Sequence, residues 1–259
     1  MNEYRQIEEN YSKALGLKRR PVAVKFLAKP PAGIAKFEGA EPSGCSYWRI
    51  AAAGKTFYTV PSDHYNCAIG SHTHNIPLPP ERAAELEQTL SFMAGIGYIK
   101  MEEVPGIPRM PETPGAIVYS PLGDAPSDPD VVIFSGPAAQ MMLLQEAAIR
   151  AGRAAQFPLL GRPTCMAVPA ALAHGAITSS GCVGNRVYTD LGESELYSVI
   201  PGKDVGRIAA ELETIASANA KLMEYHMSRR EEISTQQRDA RKIRGECEGV
   251  SRRRKRVDK

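Results

Sequence analysis

PDVVIFSGPAAQMMLLQEAAIRAG, residues 129–152, decides the fold class of this 259-residue chain. Its first part is short, β-branched and bounded by Pro and Gly, the composition of a strand. Its second part repeats apolar residues at helical spacing, and Pro137 suits a first helical turn, where a missing N–H has no partner to lose. With the apolar run AAQFPLL (154–160) beyond it, the segment predicts a β-α-β unit.

The flanking sequence alternates the same kinds of element. GAIVYSPL (115–122), PVAVKFL (21–27) and ELYSVIPG (195–202) read as strands, with KTFYTVP (55–61) as a shorter one. Helices are expected over 3–17, 81–97 and 203–228, and over Cys45 to Ala53 with Ser43 as cap and Gly54 at the end. Residues 99–115, with four prolines, read as an irregular connection. Helices alternating with strands give an α/β or α+β class, a mixed sheet with flanking helices. The repeated order predicts one domain over 1–226, with pseudo-symmetric half-units 1–115 and 116–226.

Composition is that of a globular protein, 43% hydrophobic and 24% charged. No run approaches the length of a membrane span, and MNEYRQIEEN has no apolar core of a secretory signal. A cytoplasmic location is therefore expected, where cysteines serve as ligands, nucleophiles or small buried residues rather than disulfides. The net charge of +3 hides an asymmetry: residues 227–259 hold 12 Lys and Arg against 6 Asp and Glu, leaving 20 against 23 for the rest. This tail is expected to be a basic, disordered extension. Its densest run, SRRRKR, has no interleaved aromatics to stack on bases, so nucleic acid is not expected as a partner.

Chemistry is concentrated in two cysteine pairs. Cys45 and Cys67 lie in PSGCSYWRIAAAGKTFYTVPSDHYNCAIGSHTHN, and Cys165 and Cys182 in GRPTCMAVPAALAHGAITSSGCVGNRVYTD. Each unit runs from a cysteine close to Ser43 or Thr164, through an Ala-rich helix ending at Gly54 or Gly175, to a second cysteine followed by Gly70 or Gly184. A thiolate at a helix N-terminus is stabilised by free backbone N–H groups and the helix dipole. Four such thiolates suit a metal ion or an iron–sulfur cluster. Structural zinc sites use close C-x2–4-C knuckles, whereas here 21 and 16 residues separate the paired cysteines, a dispersal better suited to a cluster between lobes.

Other residues bear on the same site. His64, His72 and His74 flank Cys67, and His72 and His74 would share a face on a strand, offering a mixed N/S site. Gly184, Asn185 and Arg186 form a Gly-rich turn with a fixed cation, able to hold a carboxylate or phosphate, and Arg49 and Lys55 could play the matching part in the first half; beside a metal centre, Arg186 and Lys55 would balance the negative charge of the thiolates. Tyr47 and Trp48 read as core. There is no G-x-G-x-x-G after a strand, no P-loop, no H-E-x-x-H and no G-x-S-x-G, so no catalytic residue and no reaction is assigned.

PVAVKFL, the Cys45 segment, DHYNCAIG, IFSGPAAQMMLLQEA, RPTCMAVPAAL and GCVGNRVYTDLGESELYSVIPG, in that order, resemble the uncharacterised bacterial and archaeal family called domain of unknown function 169. The resemblance covers about residues 5–225 and implies a soluble prokaryotic protein with one continuous domain. It implies no reaction, substrate or cofactor. Two readings stand from the residues themselves. One is an iron–sulfur or other metal centre on Cys45, Cys67, Cys165 and Cys182, serving redox or electron transfer with a redox partner. The other is a metal-free module that binds a small anionic ligand or cofactor, its cysteines merely packing.

Overall fold

A computed structural model describes residues 3–153 and 158–257. In chain order the elements are α1 (Glu3–Leu15), β1 (Val22–Leu27), α2 (Gly44–Ala52), β2 (Phe57–Thr59), α3 (Ala68–Thr73), α4 (Glu85–Gly95), β3 (Ala116–Pro121), β4 (Val131–Pro137), α5 (Ala138–Arg150), β5 (Leu159–Leu160), α6 (Ala167–His174), β6 (Ile177–Ser179), α7 (Val183–Thr189), β7 (Glu195–Pro201) and α8 (Gly202–Val257). The strands form one sheet in the order β2-β3-β1-β4-β7-β6-β5, antiparallel except for the β5–β6 pair, so the class is α/β with a mixed sheet. The deciding segment folds as its composition dictates, β4 running straight into α5.

The expected β-α-β unit does not form as such. Of AAQFPLL, Ala154–Phe157 lie outside the described residues, and Leu159–Leu160 pairs with β6 at the sheet edge rather than beside β4. Instead β4 is flanked by β1 and by β7, which pairs with it along its whole length from Val131↔Pro201 to Pro137↔Glu195. Seven antiparallel pairs outweigh two parallel ones, and β7 arrives later in sequence, where local reading does not see it.

Strand register is alike in two parts of the sheet. Val22 faces Pro121 across β1–β3 as Val131 faces Pro201 across β4–β7. Phe57 faces Tyr119 and Thr59 faces Ile117 as Ile177 faces Val199 and Ser179 faces Tyr197. The sheet is thus two matching triplets, β2-β3-β1 and β4-β7-β6, joined antiparallel at β1–β4. The junction falls between Pro121 and Val131, not at residue 115: β3 completes the first half, because only β3 bridges β1 and β2.

Alternation along the strands sends side chains to two separate cores. Val22, Val24, Val131 and Ile133 meet Trp48 and Ala51 of α2 and Ala167, Val168 and Ala171 of α6. Ala23, Val132 and Phe134 meet Tyr11 of α1, Met141 and Leu144 of α5, and Ile208 and Leu212 of α8. Helices cover both faces, which is why the central strands read as unbroken apolar runs. Pro169 does not break α6, because it sits in the first turn after a 3-10 turn at Thr164–Met166, where its N–H is not needed.

By compactness the chain divides into Met1–Ile215 and Ala216–Lys259. The second unit is helical through Val257, where sequence reading expects a disordered tail from residue 227. Nothing interrupts this helix: no proline follows Pro201, and Ala, Glu, Gln, Lys and Arg, all strong helix formers, dominate. Its apolar periodicity does fade, and Leu222, Met223, Tyr225 and Met227 are exposed.

Candidate functional site

Each of the four cysteines opens a helix or turn, and the two halves place them alike. Cys45 is the second residue of α2 and Cys165 the second of the 3-10 turn that leads into α6. Cys67 is the N-cap of α3 and Cys182 the N-cap of α7. Ser43 holds the N-cap position of α2 but makes no cap bond; its hydroxyl pairs with that of Ser46 at 3.1 Å. In the second half the Thr164 hydroxyl accepts the Cys182 N–H at 2.6 Å, tying one cysteine's helix start to the other's. The turn at 164–166 packs on α2 and α3, and α7 packs on α2, so the repeat brings its four cysteine-bearing ends together.

All four cysteines line one cavity of about 590 Å³. Ser43, Thr164, Gly184 and Asn185 also line it, and Leu90 and Met93 of α4, Val104, Ile107 and Met166 make much of its lining apolar. All four are free thiols; Cys45 and Cys165 are buried, while Cys67 and Cys182 are half-buried.

Electrostatics record the convergence. Burial pushes the Cys45 thiol well above its usual range, and charge on Cys165, Cys67 or Cys182 would raise it further. Cys165 is pushed up by burial and then by Cys67, against a pull from the Thr73 hydroxyl that outweighs the further push from Cys182. Burial also raises Cys67, opposed by the N–H groups of Gly70, Gly44 and Ile69, which favour a thiolate. The dipole argument is therefore right in kind at Cys67 but smaller than desolvation: without a cation these buried thiols stay protonated. Among the described residues no group of three or more His, Cys, Asp or Glu could hold a metal ion as the side chains stand.

The other candidate residues are placed as follows. Gly184 and Asn185 line the cavity; Arg186 and Lys55 do not. The expected Gly-rich turn is the helix α7, and the Arg186 guanidinium is spent on the carbonyls of Ser180, Gly192 and Glu195, closing the link to β7. Lys55 is exposed beyond the C-terminal end of α2, the opposite end from Cys45. The loop expected around Cys67 contains α3, so His72 and His74, two residues apart on a helix rather than a strand, diverge.

None of the three histidines lines the cavity. His64 and His74 are buried behind α3 with ring centroids 6.2 Å apart. His64 Nε2 pairs with the Thr59 hydroxyl at 2.8 Å, and His74 Nδ1 donates to the Gly70 carbonyl at 3.0 Å. Burial, then the neighbouring His74, lowers His64 to about 3; burial also lowers His74 and, more than nearby Arg109 does, the half-exposed His72. Tyr47 and Trp48 are core, as expected.

Sequence reading missed the apolar wall. Residues of α4 and of the 3-10 segment Met101–Gly106 carry no chemistry of their own, and their only signal is apolar side chains in a stretch with little else to bury.

A three-layer α/β protein built from two matching halves, with four thiols at one cavity, is the class these features define. The chain belongs to the domain of unknown function 169 family (DUF169, an uncharacterised ArCR), whose family model matches residues 12–211. No curated protein and no solved structure matches the chain. No helix among the described residues is long and apolar enough to cross a membrane.

Proposed function

We propose that this protein binds an iron–sulfur cluster or related thiolate-held metal centre through Cys45, Cys67, Cys165 and Cys182, and works in the cytoplasm in electron transfer or redox sensing. One observation carries the proposal: four cysteine thiols, one from each of four helix or turn starts, line a single cavity. Thiolates select zinc, copper(I) and iron–sulfur centres over hard cations. The separation of the paired cysteines in sequence, 21 and 16 residues, suits a cluster seated between two halves better than a zinc knuckle.

The cluster would supply one-electron chemistry. The chain's own part is to hold the thiolates, to point N–H groups of Gly70, Gly44 and Ile69 at the Cys67 sulfur, and to exclude water with the wall of α4. Arg186 and Lys55, expected to offset the negative charge, stand elsewhere; these N–H groups take that role. The anion-binding alternative is weaker on the same grounds, since Arg162, the cation lining the cavity, is already paired with Glu103 at 3.2 Å.

The test is anaerobic purification and reconstitution, with visible absorption and assays of iron and acid-labile sulfide. Matched iron and sulfide in the wild type, lost in Cys67→Ala/Cys182→Ala, is the expected result. Equal content in both proteins would refute the proposal.

A further inference from the structure

Above the thiols, the cavity has walls for which metal ligation has no use. Leu90, Met93, Val104 and Ile107 line the space, with Met166, Val183 and Tyr188. The first four come from α4 and from the 3-10 segment Met101–Gly106 with its C-cap Ile107, which have no counterpart in the second half, where only α7 stands between Cys182 and β7. This addition contributes little to either core. Leu90 is the one buried residue of α4, and the 3-10 segment has none. Leu90 and Met93 of α4 and Val104 of the 3-10 segment line the cavity, while Phe92 and Met101 are exposed. At about 590 Å³ the space is that of a small-molecule site.

Two polar features define what would fit. Glu103 and Arg162 line the space but neutralise each other at 3.2 Å, with the guanidinium 4.9 Å from the centre of the Tyr98 ring. Asn185 lines the space while 2% exposed, and neither its Nδ2 nor its Oδ1 has a hydrogen-bond partner. It lies near the Cys45 sulfur and the Tyr197 hydroxyl and would favour a charge on either, yet bonds to neither in this structure. Buried carboxamides are almost always paired, because leaving one unpaired loses its hydration without return. A carboxamide both donates and accepts, so its natural complement does the same.

We infer that this cavity binds a neutral, mostly apolar small organic molecule whose amide-like edge pairs with Asn185, its apolar body lying against α4 and the segment that follows. The inference rests on the metal-centre reading for what the molecule would meet on the cavity floor, but not for its binding.

The experiment uses the full chain, both stripped of metal with a chelator and reconstituted with iron and sulfide. The neutral fluorescent probe N-phenyl-1-naphthylamine is titrated in, then displaced by 1-naphthamide or by naphthalene. A saturable signal is expected, with naphthamide displacing the probe about tenfold better than naphthalene, the size set by one buried amide pairing. Asn185→Leu should erase that preference. Met93→Trp and Ile107→Trp, each filling the space from a different element, should weaken the probe about tenfold; circular dichroism selects whichever variants fold. A signal that does not saturate, that ignores every folded Trp variant, or a naphthamide preference that is absent or survives Asn185→Leu, overturns the inference. Iron and sulfide are assayed on the same reconstituted samples. Saturable probe without a cluster sinks the metal reading alone, and a cluster without probe binding sinks this inference alone.

Discussion

The backbone N–H of Gly70 points at the Cys67 sulfur across 3.2 Å, and a Cβ on Gly70 would come within 3.1 Å of that same sulfur. Glycine here is a matter of space, not of backbone angle: α3 turns its first coil directly over its own N-cap, and the Gly44 nitrogen lies just beyond. Gly70→Ala should gain about 0.5–1 kcal/mol of helix propensity. It should lose about 1–3 kcal/mol to overpacking, because the sulfur must move. The expected outcome is a folded protein with a slightly lower denaturation midpoint and clearly reduced iron and sulfide after reconstitution. Wild-type content would show that the Cys67 position is not critical.

Proton release should accompany metal loading. Burial holds Cys45, Cys67 and Cys165 above their ordinary range, so these thiols carry protons at neutral pH, while a metal takes only thiolates. Apparent affinity should therefore rise with pH across the neutral and mildly alkaline range, and protons should appear in weakly buffered solution as zinc, used as a spectrally silent substitute, is added. Affinity independent of pH would mean that these thiols do not ligate.

His64 and His74 make a distinct prediction for acid stability. His64 is lowered from 6.5 to about 3, and His74 is lowered in the same direction, both chiefly by burial. Below about pH 6.5 the unfolded chain binds protons that the folded protein refuses, so stability falls as pH drops from there toward 3. Each imidazole contributes a slope of at most about 1.4 kcal/mol per pH unit. Urea midpoints measured between pH 7 and 4 should fall steeply in the wild type and less steeply in His64→Gln/His74→Gln. Parallel curves would place the acid sensitivity elsewhere.

Truncation after Ala220 should leave the fold and the cavity intact. Every buried residue of both cores lies between Ile7 and Leu212, and the first compact unit ends at Ile215. The shortened chain should keep its thermal midpoint within a few degrees and its metal content unchanged; loss of either would give residues 221–259 a structural part.

The sequence by itself determined the class and the principal elements. Strand and helix periodicities are local and survive any environment, as Val131–Pro137 and Ala138–Arg150 illustrate. The matched spacing of cysteines, glycines and Ala-rich runs pointed to two halves, and the strand registers of the two parts are alike. It was not enough to place their junction, since β3 joins the first half through pairs with β1 and β2 that lie far away in sequence. Only the tertiary structure decided which candidates share a site. Arg186 and Lys55 have the right charge but point to backbone carbonyls and to solvent, while Asn185, expected beside Arg186 in an anion-holding turn, ends buried and unpaired at the cavity that the thiols line. Meeting in space depends on how helices cross a sheet, and that is fixed by contacts between residues distant in the chain, which no local pattern encodes.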